Sequence, residues 1–160
     1  WAVYATVGSA VDQFYAARGG RAPSWIREGL AADLQLAITN SIPVVNINNQ
    51  QGKEKPIATG WGREVAKIHH KGKEAGAATA VEITRGSTSF IGLPIYYQYW
   101  SLNAFIRSQC GGAGEKHAWF RIMDQTARGG DSYEVLDEVL RAKDPALTAA
   151  WVGWAATQKR

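Results

Sequence analysis

The sequence predicts a mainly α-helical, single-domain protein. Apolar residues recur at helical spacing through most of the chain, and Gly-Gly or Pro breaks punctuate those segments. Only two short segments, 42–47 and 81–84, have strand character, so at most one short strand or hairpin is expected. A length of 160 residues fits one domain with a sizeable core.

Residues 2–17 read as the first helix. Val3, Val7, Val11 and Phe14, with Ala10 and Tyr15, fall on one face, and Gly19-Gly20 stops it. Residues 24–39 read as the second, entered through Pro23 with Ser24 as expected N-cap. Its stripe is Trp25, Ile26, Leu30, Leu34 and Ile38, with Asp33 and Gln35 off it. Gly29 costs ~1 kcal/mol against Ala in a helix interior, so its presence implies the close approach of another element.

Segment 42–47 is a weak alternation that Pro43 confines to an edge strand or extended loop. Asn48 to Pro56 is polar and turn-rich. Trp61 to Lys73 forms a helix with Trp61, Val65 and Ile68 in phase. Ile95 to Gln109 forms another, with Ile95, Tyr99, Leu102 and Ile106 as its stripe. Glu115 to Ala127 follows. Asp131 with Glu134 three residues on reads as a variant capping box for the next helix. Asp144-Pro145 opens the last, which carries Trp151 and Trp154.

Composition excludes several function classes. Hydrophobic residues make 46% of the chain and charged residues 20%, a globular balance. No apolar run reaches about 18 residues, so no membrane span is expected. The chain starts at Trp1 without Met and shows no signal peptide, and it reads as part of a longer parent chain. The one cysteine, Cys110, cannot form an internal disulfide or a cysteine metal cluster. Net charge is +4, with basic residues scattered apart from Lys53/Lys55 and Lys67/Lys71/Lys73. Nucleic acid is not the expected partner, because a binding face needs those lysines together.

Pro23-Ser-Trp-Ile-Arg-Glu-Gly-Leu-Ala31 resembles the P-x-W-[LI]-x-E-G-[LF]-A helix of the gluzincin (peptidase MA-like) metallopeptidases. Tyr96-Tyr-Gln-Tyr-Trp-Ser-Leu-Asn-Ala-Phe-Ile106 is similar to the later tyrosine-bearing helix of that family, and the Trp-rich end to its closing helix. The resemblance implies a fold like the C-terminal helical part of such peptidases and a periplasmic or secreted location. It also implies a zinc ion held by two histidines of H-E-x-x-H and by the glutamate of the next helix, here Glu28. Three protein ligands leave a fourth position for the water that zinc activates.

The chain departs from that pattern where the chemistry sits. The best-phased pentapeptide on the first helix is Val7-Gly-Ser-Ala-Val11. Valine at positions 7 and 11 offers no lone pair, and Gly8 offers no base. No histidine precedes His69, and residues 1–27 hold no glutamate. The expectation is a catalytically inactive, metallopeptidase-like domain without zinc or other cofactor. Glu28 would be a relic ligand, and Trp25 with Tyr96 or Tyr97 would line the old cleft. The default for aromatics at helical spacing is core packing.

This module would bind a peptide, a protein segment or a neighbouring domain. One alternative is an active zinc hydrolase with a site rebuilt from Glu28, His117 and one of His69 and His70. Adjacent helical residues point about 100° apart, so that pair does not face one ion easily. Another is a structural subunit of a larger assembly.

Overall fold

The structure is a computed structural model and describes residues 2–40, 60–88, 92–110 and 116–158. Among them it is mainly helical, without strands. The helices are α1 (Ala2–Ala16), α2 (Ser24–Thr39), α3 (Trp61–Lys71), α4 (Ala80–Thr84), α5 (Leu93–Gln109), α6 (Lys116–Ala127), α7 (Ser132–Leu140) and α8 (Ala146–Thr157), with a 3-10 turn at Lys73–Ala75.

Helix α5 is central. It packs against α2 on one side and against α3 and α8 on the other. Its residues from Ser101 to Ile106 are buried without interruption, so it has no clean polar face over that stretch. Of the polar groups it carries inward, Gln98 and Ser101 are satisfied, whereas Asn103 Oδ1 is buried without a hydrogen-bond partner among the described residues. Gln98 is fully buried and accepts from the Ala78 N–H (2.9 Å) while donating to the carbonyls of Gly76 (2.9 Å) and Pro94 (3.0 Å). Ser101 Oγ accepts the indole N–H of the fully buried Trp151 at 2.9 Å. A buried polar group left unpaired costs about 1–3 kcal/mol, and these bonds remove that cost.

Gly29 is where α5 comes closest to α2. A Cβ at Gly29 would overlap the Asn103 side-chain amide and the Tyr99 carbonyl. Trp25, Gly29 and Asp33 meet Tyr99, Asn103 and Arg107 along rows four residues apart. That is the side-chain ridge from which helix–helix packing is built. Gly62 plays the same part between α3 and α8, where a Cβ would overlap the Ala155 carbonyl.

Several expectations need correction. Segment 81–84 is helical, not extended. Thr79 Oγ1 accepts the Glu82 N–H (3.2 Å), and the Glu82 carboxylate accepts the Thr79 N–H (2.8 Å), a complete capping box. The Ala80 and Val81 N–H groups go to Thr148 Oγ1 (2.8 Å) and the Asp144 carboxylate (2.9 Å), which docks α4 on the start of α8. Segment 42–47 lies outside the described residues. Pro23, not Ser24, is the N-cap of α2. The Pro23 carbonyl accepts from Ile26 and Arg27, and no side chain caps the helix.

The buried stripe of α1 is Tyr4, Gly8, Val11 and Tyr15, one register step from the valine-based face. Val7 and Phe14 pack at its margin, and Ala10 is exposed. On α2, Asp33 and Gln35 are buried whereas Ile38 is exposed. The reason is that α2 is covered from two sides, by α1 and by α5, and each side supplies a partner for a polar residue. Asp131 caps α7 as expected, accepting from the Tyr133 and Glu134 N–H groups at 3.0 Å. Glu134 itself faces Arg85, at 3.8 Å.

Candidate functional site around Glu28

The site grows from the contact between α1 and α2. Near the start of α1, where amides lack intrahelical partners, the Tyr4 N–H donates to Gln35 Oε1 at 3.1 Å. This bond fixes the first turn of α1 over α2. From that turn the Tyr4 hydroxyl donates to one carboxylate oxygen of Glu28, and Arg27 Nη1 donates to the other. Arg27 Nε donates to Asp12 at 2.9 Å. Gly8, one turn after Tyr4, lies over the Arg27 guanidinium, where an added Cβ would meet Cζ at 3.4 Å.

Glu28 therefore faces the helix that carries Val7, Gly8 and Val11, and on it reaches Tyr4. Burial raises the Tyr4 hydroxyl pKa above its ordinary value, and the bond to Glu28 raises it further. The phenol stays protonated and remains a donor.

Tyr96 and Tyr99 complete the site from α5, with ring centroids 6.0 Å apart. Burial raises both hydroxyl pKa values, and the charge of Glu28 adds to the rise. Between the two sequence candidates, Tyr96 is the one near Glu28. Tyr97 is buried on the α3 side, its ring edge-on to Trp61 at 4.6 Å. Trp25 is buried against Trp119 at 6.1 Å, and its carbonyl accepts from Asn103 Nδ2 at 2.6 Å. It supports the site from beneath instead of lining it.

The histidines stand elsewhere. His69 is half-buried, with Nε2 3.1 Å from Gln98 Oε1 and its ring edge-on to Trp151 at 5.3 Å. Burial lowers its pKa, outweighing the opposing bond to Gln98. His70 is exposed. His117 lies in α6, and its side chain is outside the described residues. Among the described residues, no three His, Cys, Asp or Glu side chains gather as a metal site requires.

The donor set at Glu28 does not fit zinc. The positions that would carry imidazoles carry carbon, and both carboxylate oxygens are already hydrogen-bonded. What the arrangement offers instead is recognition. Asp12 and the Arg27 guanidinium are partly open to solvent, with side-chain exposures of 49% and 37%, beside two half-buried tyrosine rings.

Comparison with family models, with curated proteins and with solved structures returns no match.

Sequence reasoning missed Tyr4, Arg27 and Asp12. One signal was available: Tyr4, Gly8, Val11 and Tyr15 are spaced four, three and four apart, a helical stripe as regular as the valine-based one.

Proposed function

We propose that this chain is a gluzincin-like helical domain whose zinc site has been replaced by a hydrogen-bonded carboxylate, and that it serves as a binding module for a peptide or protein segment. One observation carries the reading. Glu28, the residue that matches the third ligand, is shared between the Tyr4 hydroxyl and Arg27. A carboxylate so held is a structural anion, and its neighbours Asp12, Arg27, Tyr96 and Tyr99 form a mixed polar and aromatic surface suited to an extended chain. Tyrosine supplies large contact area with a polar tip.

Elemental analysis of the purified protein tests the first half of the proposal. Substoichiometric zinc and no chelator-sensitive proteolysis are expected, and stoichiometric zinc with chelator-sensitive hydrolysis overturns it. Selection from a random displayed peptide library tests the second half. Peptides that bind the wild type and lose affinity for Glu28→Gln and Tyr96→Ala are expected. Peptides that bind all three proteins equally place recognition away from Glu28 and overturn the assignment.

A further inference from the structure

A second site lies further along α2, in an open cavity of about 650 Å³ between the C-terminal ends of α2, α5 and α8. Asp33 stands in its wall, buried to 3% exposure. Arg107 covers the carboxylate from the rim, with Nε 2.8 Å from Oδ2 and Nη2 3.0 Å from Oδ1, while its own side chain stays 53% exposed. The indoles of Trp100 and Trp154 form apolar walls.

The hydroxyl and amide donors of this cavity are already engaged, the Gln158 amide by the Trp154 carbonyl (3.1 Å) and Thr157 Oγ1 (3.0 Å). The hydroxyl of Ser108 donates its one proton to the Phe105 carbonyl, and that of Thr157 to the Trp154 carbonyl, each at 2.7 Å. Each oxygen also accepts from a glutamine amide, Gln109 at 3.3 Å and Gln158 at 3.0 Å, and what it has left to offer the cavity is a lone pair. Helices end in carbonyls without intrahelical donors and carry partial negative charge there. Here α2, α5 and α8 all end beside one cavity. Among the described residues Arg107 is its one cationic lining residue, and it is held by Asp33. Indole faces attract cations.

We propose that this cavity binds a small organic cation, a primary ammonium or guanidinium on an aromatic or aliphatic body. The cation takes over the Asp33 carboxylate as Arg107 swings outward, and the body lies between Trp100 and Trp154. An anion is disfavoured because it would meet Asp33, the helix ends and two hydroxyls with no proton to give.

Titration of the full chain with phenethylamine, phenethyl alcohol and phenylacetate, followed by indole N–H shifts in NMR spectra, tests the proposal. Phenethylamine is expected to bind, with the alcohol and the acid weaker by at least about tenfold, the equivalent of one neutralised contact. Asp33→Asn is expected to lose the preference for the amine. Arg107→Gln, which removes the competing guanidinium, is expected to keep or strengthen amine binding. Circular dichroism and thermal melts check the fold of each variant, and Arg107→Gln decides the matter where Asp33→Asn does not fold. Preferential binding of phenylacetate that Arg107→Gln abolishes overturns the proposal in favour of an anion site. Absence of amine binding up to roughly 10 mM, weaker than millimolar affinity, overturns it outright.

Discussion

The Tyr4 hydroxyl donates to the Glu28 carboxylate, joining the first turn of α1 to the first turns of α2 across 24 residues of sequence. Tyr4 is itself buried, at 7% exposure. The bond is charge-assisted and partly shielded from water, so it stabilises more than an exposed pair would. Tyr4→Phe keeps the ring and removes the donor. It is expected to lower stability by about 1.5–3 kcal/mol, the range for hydrogen bonds to charged groups. Urea unfolding with an unchanged m-value is the measurement; a shift below a few tenths would show that the hydroxyl is dispensable.

Two glycines in neighbouring helices should respond in opposite directions. Gly29→Ala forces a methyl into the Asn103 amide and the Tyr99 carbonyl, so a loss of about 1–3 kcal/mol or more is expected from overpacking. Gly8→Ala meets only the Arg27 guanidinium at 3.4 Å, the mobile end of a long side chain. It is expected to gain up to about 1 kcal/mol from helix propensity. Paired thermal melts of the two variants check this, and equal losses at both sites would refute it.

His69 predicts a pH dependence. Burial lowers its pKa in the folded state below the ordinary value of 6.5. The unfolded chain therefore binds the proton more readily. Stability from this group is fully present above pH 6.5, falls as the pH drops below that value, and is lost as the pH passes through the lower folded pKa. The slope in that window is bounded at about 1.4 kcal/mol per pH unit for one proton. Replacing His69 with Gln should flatten the window. A slope that survives the replacement assigns the effect to another group. Glu82, Asp124 and Asp131, whose pKa values are lowered, act in the same sense, but their window opens only below their ordinary values of 4.5, 3.8 and 3.8.

Gln98→Leu tests the buried amide of α5. It strands the Ala78 N–H and the Gly76 carbonyl, groups Gln98 bonds at 2.9 Å. A loss of about 2–5 kcal/mol is expected from two orphaned groups. Chemical denaturation measures it, and Gln98→Glu separates the acceptor from the donor role.

The sequence carried the helices well, because their boundaries rest on local chemistry. Asp131 caps α7, and the Pro and Gly stops mark the ends of most others. It carried the faces less well. On α1 the valines formed the obvious stripe, yet the buried one includes Tyr4 and Tyr15, whose hydroxyls find partners in Glu28 and Thr126. On α2, Asp33 and Gln35 looked like surface residues, and Arg107 and the Tyr4 amide, far away in sequence, supply partners that make their burial affordable. The capping box of α4 was there to be read in Thr79-Ala-Val-Glu82, but β-branched residues drew the reading toward a strand. At the site, Glu28 stood out from its motif. Tyr96 and Tyr97 could not be told apart, because adjacent helical residues point about 100° apart and only the placement of α2 and α3 decides which faces Glu28.

The unbroken burial of Ser101 to Ile106 has a consequence for motion. Amide protons exchange with solvent when local openings expose them, and the cost of opening rises with the contacts that must break. Around this stretch of α5, an opening would have to part α2, α3 and α8 together. Its amides should therefore exchange only when the whole domain unfolds, and their protection should report the global free energy of the chain. The outermost turns of the other helices, where opening breaks fewer contacts, should exchange sooner.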